Sequence, residues 1–353
     1  MKNILIAVLA VLSLIYPMFQ LAAPAPPITN LLPASLLLTD PLFSHHILIA
    51  EKSTHKLHLF QRNPQGSIQL LHSYQMASGK IAGDKSAQGD HRTPEGIYQF
   101  TSFIPHESLI KMFGKKKGEI YGIGSFVINY PNPVDHRLHK GGSGIWLHST
   151  NDETRIEKGL DSRGCLVVAN QDLIDISKYI ELKKTPLIVV QDMHYLSRDS
   201  WYRNRAQLLN LVNQWIDSWQ QEKFSSYINF YHPQKFHDRF RGNYQQFSKY
   251  KRTLFQRSGQ PTIRIDNISI FQTLNYATIT FRQHYSSRSI NDSGKKTLYL
   301  EKNASYQWKI VSEIWSKLNH EGREDQQLVF HPSMRFFSSE KDTPASPLSQ
   351  NTK

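Results

Sequence analysis

Apolar and polar residues alternate through much of the first half of the chain. Ile47-Leu48-Ile49-Ala50-Glu51 leads into a polar turn, Lys52-Ser53-Thr54-His55, and Leu57 and Leu59 follow. After Asn63-Pro64-Gln65-Gly66 come Ile68, Leu70 and Tyr74. Period-two runs punctuated by turn residues predict a β-rich unit. The turn Thr93-Pro94-Glu95-Gly96 feeds a predicted strand at 97–100, and further strands are predicted at 125–130, 144–148, 165–168 and 185–190. Before the last of these, Asn170 is placed to cap a short helix carrying Leu173, Ile176 and Ile180.

The period changes near residue 195. Leu208, Leu211, Val212, Trp215 and Trp219 recur at helical spacing. A second helix holds Phe224, Tyr227, Ile228 and Tyr231 and stops at His232-Pro233. Strand-like runs follow at Ile263/Ile265 to Ile270, Ala277/Ile279/Phe281, Leu298/Leu300 and Trp308/Ile310. Helices first and strands second mark a separate α+β unit. The chain therefore divides into an export signal or anchor at 1–25 and a Pro- and Leu-rich linker or short apolar helix at 26–43. A β-rich domain at 44–192 and an α+β domain at 200–318 follow. A polar tail at 319–353 is expected to be disordered over its last fifteen residues.

Composition narrows the classes. Hydrophobic residues make up 39% of 353, enough for real cores, and no interior run of 18 apolar residues points to a polytopic membrane protein. Lys2, the apolar run 4–16 and Leu21-Ala22-Ala23-Pro24 resemble a secretory signal, so the protein is expected in the periplasm or cell envelope, held at the inner membrane if the signal stays uncleaved. The net charge of +13 favours polyanionic surroundings. Nucleic acid is excluded by location and by the lack of a recognition motif. Residues 28–43 are a candidate surface for pairing two copies.

The single cysteine, Cys165, cannot form an intramolecular disulfide. It is either an inert core residue or a nucleophile, and a nucleophile needs a base or a positive neighbour. His148 ends a predicted strand and supplies the base; Arg163 brings positive charge; Ser162-Arg163-Gly164 makes a compact bend whose backbone N–H groups suit an oxyanion. Gly164 lets the chain approach a substrate without a Cβ in the way. These parts suffice for acyl transfer through a thioester. No cluster has metal-ligand spacing, and no cofactor is expected.

Ile145-Trp146-Leu147-His148-Ser149 followed by Ser162-Arg163-Gly164-Cys165 resembles the signature of the L,D-transpeptidase catalytic domain (YkuD-type). Thr93-Pro94-Glu95-Gly96-Ile97-Tyr98, Ile128-Asn129-Tyr130-Pro131-Asn132 with Asp135, and Gly141-Gly142-Ser143-Gly144 agree in family order over roughly 44–192. The resemblance implies a β-rich catalytic domain acting on peptidoglycan peptide stems. Cys165 attacks the L-centre carbonyl of diaminopimelate, D-Ala leaves, and His148 serves as base and then acid. An amine then takes the acyl group, giving a 3–3 crosslink or an attached protein; the alternative is water, giving a trimmed tripeptide. Ser162, Arg163, Gly164 and Ser149 are implied to shape the oxyanion and substrate site, and Tyr130 and Trp146 are candidates for substrate contact. Ser149 departs from the family, which commonly has Gly after the His, and Arg163 is placed to meet a substrate carboxylate.

Trp215, Trp219, Phe230-Tyr231 and Gln307-Trp308-Lys309-Ile310 give the second domain a resemblance to the NTF2-like fold. The pair of domains resembles cell-shape L,D-carboxypeptidases of helical bacteria. The rival class is a catalytically silent wall-binding protein. Thiol labelling separates the two, since an activated Cys165 should alkylate well below the pH of an ordinary thiol.

Overall fold

The computed structural model describes residues 31–257, 259–288, 290–318 and 332–337. The expected export segment and the last fifteen residues lie outside these. No helix among the described residues is long and apolar enough to cross a membrane.

Eight strands form one mixed sheet, in the order Leu166–Val167, Trp146–His148, Gly124–Ile128, Gly96–Pro105, Pro186–Val190, His46–Glu51, Lys56–Arg62, Ile68–Gln75. His46–Glu51 runs parallel to Pro186–Val190, with Leu48 opposite Leu187 and Ile49 opposite Ile188. Their side chains serve two cores. Leu48, Ala50, Leu187 and Val189 pack with Leu173 and Ile176 of the helix Asn170–Ser177. Ile47, Ile49 and Ile188 face Phe271, Tyr276, Tyr299 and Val311 of the second unit. A strand buried on both faces is apolar at every position, which is why 47–50 reads as an unbroken run. The helix starts one residue earlier than the sequence suggests: Ala169 is its N-cap, and Asn170 is the first helical residue. Glu153 Oε1 instead accepts the Asn170 N–H, at 3.1 Å.

The second unit is an antiparallel sheet of Trp308–Lys317, Asn291–Lys302, Ala277–Ser286, Thr262–Gln272 and Leu36–Leu38. The helices Arg198–Gln220, Phe224–Ile228 and Tyr244–Arg257 cover one face, packing Leu208, Val212, Trp215, Tyr227 and Phe247 onto Ile279, Phe281, Leu298 and Leu300. The third of these helices was not expected. It buries only Phe247, Lys251 and Phe255, an apolar stripe too thin to stand out.

Two expectations are corrected. Residues 31–38 are not a linker or helix but two strands: Leu31–Pro33 pairs with Tyr195–Ser197, and Leu36–Leu38 adds to the edge of the second sheet. Pro33 has no N–H to continue a helix, and an edge position tolerates it. Leu36 and Leu37 are fully buried in this same chain. The tail is not polar throughout. Phe336 and Phe337 return to the first unit, with ring centroids 5.1 and 5.2 Å from that of Phe103. Arg335 Nη1 donates to the Ile180 carbonyl at 3.1 Å. At the seam between the units, the Tyr276 hydroxyl accepts from Asn132 Nδ2 at 2.9 Å, and Arg137 and Lys235 both pair with Glu301.

Candidate active site

The sheet brings His148 and Cys165 together at its edge. Trp146–His148 pairs antiparallel with Gly124–Ile128 and parallel with Leu166–Val167, placing Val167 opposite His148 and Leu166 opposite Leu147. Cys165 immediately precedes that last strand. Its Sγ lies 3.7 Å from the Gly144 carbonyl. The bend before it is locked by one hydroxyl: Ser162 Oγ donates to the Cys165 carbonyl at 2.6 Å and accepts from the Gly164 N–H at 3.0 Å. Gly164 has φ +122°, and a Cβ there would sit 2.7 Å from the Arg92 carbonyl oxygen. Only glycine meets both demands. Thr93 Oγ1 donates to the Gly164 carbonyl at 3.0 Å, tying the bend to the Thr93-Pro94-Glu95-Gly96 turn.

His148 is 2% exposed. Its Nδ1–H donates to the Ser149 carbonyl at 2.5 Å, so the tautomer set by that bond leaves the Nε2 lone pair free. Burial pushes the imidazole from 6.5 down to about 4, and Arg155 acts the same way. Burial pushes the Cys165 thiol up to about 11, against the Trp146 backbone, Arg155 and Lys85, which favour thiolate. The resting pair is therefore a neutral thiol and a neutral imidazole. The cation felt by both is Arg155, whose Nε donates to Asp161 at 2.5 Å and whose Nη1 donates to Thr150 Oγ1 at 3.1 Å. Arg163, the cation suggested by sequence, is exposed beside the cysteine and free to meet a ligand in solvent.

Aromatic rings wall the dyad. Tyr121 stands edge-on to the His148 ring, with centroids 4.9 Å apart, and lies 5.1 Å from Trp146; Phe113 completes the wall 5.3 Å from Tyr121. Burial and the nearby Cys165 both raise the Tyr121 hydroxyl's pKa. Ser149, fully buried, explains its own departure from the family pattern. Its Oγ accepts the Ile123 N–H at 2.9 Å and so fixes the loop that carries Tyr121. Tyr130 does not face the dyad. It lies in the core, and its hydroxyl donates to the Gly141 carbonyl at 2.9 Å, bracing the loop that ends at Gly144. Trp146 is half-buried in the aromatic wall. Sequence reading missed Tyr121 and Arg155, which reach the site from the short helical turns Glu119–Tyr121 and Thr154–Glu157, outside the quoted motifs.

A second buried polar cluster lies under the helices of the other unit. Lys296 Nζ pairs with Glu313 at 3.2 Å. The Lys251 ammonium sits 4.7 Å from the Trp219 ring centroid and 5.2 Å from that of Phe247. Burial lowers Lys251 to about 8. Among the described residues, no group of three His, Cys, Asp or Glu side chains is arranged to hold a metal ion.

Two family models match this chain: the L,D-transpeptidase catalytic domain (YkuD) over residues 45–189, and the Cds6 C-terminal NTF2-like domain over residues 207–314. Bd1075 of Bdellovibrio bacteriovorus is similar in structure, with a TM-score of 0.70 and 31% identity over 83% of this chain and 100% of that one. The helical cell shape determining protein Pgp2 of Campylobacter jejuni is similar at a TM-score of 0.61 and 23% identity, covering 78% of this chain and 95% of that one. No curated protein sequence matches the chain.

Proposed function

This chain belongs to the L,D-transpeptidase (YkuD) family, with an NTF2-like domain at its C-terminal side, and on that premise we propose that it trims the tetrapeptide stems of peptidoglycan through a thioester on Cys165. The observation that carries this reading is the register that sets the strand after Cys165 alongside that of His148, with Tyr121 near both and the His148 Nδ1–H committed to Ser149, which leaves Nε2 as the base. As Sγ attacks the diaminopimelate carbonyl, Nε2 takes the thiol proton. The C–S bond forms, and the carbonyl electrons move onto an oxyanion held by backbone N–H groups of the 162–165 bend other than that of Gly164, which Ser162 Oγ already takes. When the oxyanion collapses, the C–N bond breaks and His148 returns the proton to the departing D-Ala amine.

Transfer to an amine and transfer to water remain two resolutions of one intermediate. His148 is 2% exposed and Tyr121, Trp146 and Phe113 wall the dyad, an arrangement that favours a small acceptor such as water over a second stem. Water is thus the acceptor in this reading, and a 3–3 crosslink is its rival. The two-domain likeness to Pgp2, which is named as a helical cell shape determining protein, supports a part in cell shape. A wall substrate also implies export through the N-terminal segment. Incubation with disaccharide-tetrapeptide in ¹⁸O-water tests the acceptor: tripeptide carrying ¹⁸O in its new carboxylate is expected. Dimers joined through two diaminopimelates, without label, would instead make the enzyme a crosslinker.

A further inference from the structure

Arg155 stands on the short helical turn Thr154–Glu157, in the stretch of chain that joins His148 to Cys165. Its guanidinium reaches a different segment of the site with each contact. Nε donates to Asp161 Oδ2 at 2.5 Å, and Asp161 directly precedes the Ser162 whose hydroxyl locks the cysteine bend. Nη1 donates to Thr150 Oγ1 at 3.1 Å, two residues beyond His148. The same Nη1 lies 3.3 Å from the Ile120 carbonyl, in the turn that ends at Tyr121.

These contacts are not those of a surface ion pair. Thr150 is fully buried, and its Oγ1 also accepts the Asp152 N–H at 3.2 Å and donates to the Asp152 carbonyl at 3.1 Å. The Tyr121 turn presses closely on this loop: a Cβ at Gly122 would overlap Ser149 Oγ and the Thr150 backbone nitrogen. The turn is held on both sides of Tyr121, by Arg155 at Ile120 and by Ser149 at Ile123. A planar guanidinium can serve acceptors in several directions at once, whereas an ammonium on the same turn meets them as a single point.

We propose that Arg155 is a positioning residue for the acyl transfer, tying the Tyr121 turn, the chain leaving His148 and the approach to the Cys165 bend into one unit, so that the Tyr121 ring is held edge-on to the imidazole. Arg155 touches neither thiol nor substrate in this assignment. It acts through Tyr121, which fixes the plane of the ring whose Nε2 must meet the thiol proton. The assignment rests on the reading that Cys165 and His148 carry the reaction.

The test is steady-state turnover of disaccharide-tetrapeptide by the full chain and by Arg155→Lys, which keeps the charge and loses the fork. The expected result is a kcat lower by about tenfold or more with KM within about threefold of wild type, the mark of misplaced groups rather than lost binding. Tyr121→Ala is expected to lower kcat as well, and Arg155→Lys added to it should cost little more, since both act through one ring. A wild-type kcat in Arg155→Lys, or losses that multiply in the double variant, overturns the proposal. If Arg155→Lys does not fold, Asp161→Asn, which removes the Nε anchor, should show the same kcat loss, and an unchanged kcat there overturns the proposal equally. Iodoacetamide uptake at Cys165 supplies an arm free of turnover. A loosened Tyr121 turn should let Arg155→Lys alkylate several-fold faster than wild type, and equal rates overturn the proposal. If the wild-type chain releases no D-alanine, the reading of its function fails, and the alkylation arm alone decides the role of Arg155.

Discussion

The charge state of the resting dyad gives a sharp prediction about Cys165. With the thiol at about 11 rather than its ordinary 9.0, about 100-fold less thiolate is present at neutral pH than for an unperturbed cysteine. A more basic thiolate is also a better nucleophile, with a Brønsted slope of about 0.4–0.5, which returns nearly tenfold. The net expectation is alkylation about tenfold slower than that of a free thiol at pH 7. The rate should still climb as pH rises toward about 11. This reverses the early alkylation expected from sequence, because burial outweighs every group that favours thiolate; slow labelling is thus expected of the active enzyme too, and turnover rather than labelling separates it from a silent wall-binding protein. Cys165 is the only cysteine, so iodoacetamide uptake followed by intact-protein mass reads this one site. A rate that reaches its plateau by pH 7 would show a preformed thiolate–imidazolium pair and refute the reasoning.

Four further outcomes follow from the structure. With His148 at about 4, the base stays available through mildly acidic solution, so the acid limb of kcat/KM should fall near pH 4 rather than 6.5. The same group makes stability pH-dependent: on acidification the unfolded chain takes up this proton first. About 3 kcal/mol present above pH 6.5 is therefore lost as pH falls toward 4, a decline that calorimetric melting in that window should record. Gly164→Ala forces a Cβ against the Arg92 carbonyl and should cut turnover about 100-fold or more while circular dichroism stays unchanged; near-normal turnover would argue against the locked bend. Phe337→Ala, far along the tail, should cost about 3–5 kcal/mol in urea unfolding, and an unchanged midpoint would contradict its place in the core.

What the sequence disclosed and what it hid have physical causes. The dyad was legible because its residues sit at strand ends inside a compact motif, where the hydrophobic pattern marks the strands and the turn residues mark the bend. The second domain was legible where one face is apolar: Leu298 and Leu300 pack under the helices. Its other face was misleading, since Thr278, Thr280 and Thr297 alternate with apolar residues as if wet, yet they line a cavity at the seam of the two units. Tyr121, Arg155 and Phe337 were hidden because each reaches its partner from a single helical turn or a return of the chain, too short a path for any period to record. Residues 31–38 were hidden because a strand of three residues carries too little pattern to distinguish from a linker. The charge state of the dyad was hidden most deeply: Cys165 and His148 side by side suggest an ion pair, and only their burial shows the pair at rest to be neutral.

The central claim is that Cys165 carries the chemistry on peptide stems. Its most direct test is mass spectrometry of purified disaccharide-tetrapeptide incubated with the protein and, in parallel, with Cys165→Ala. The account predicts disaccharide-tripeptide and free D-alanine from the first and unchanged substrate from the second; equal turnover by Cys165→Ala would contradict it.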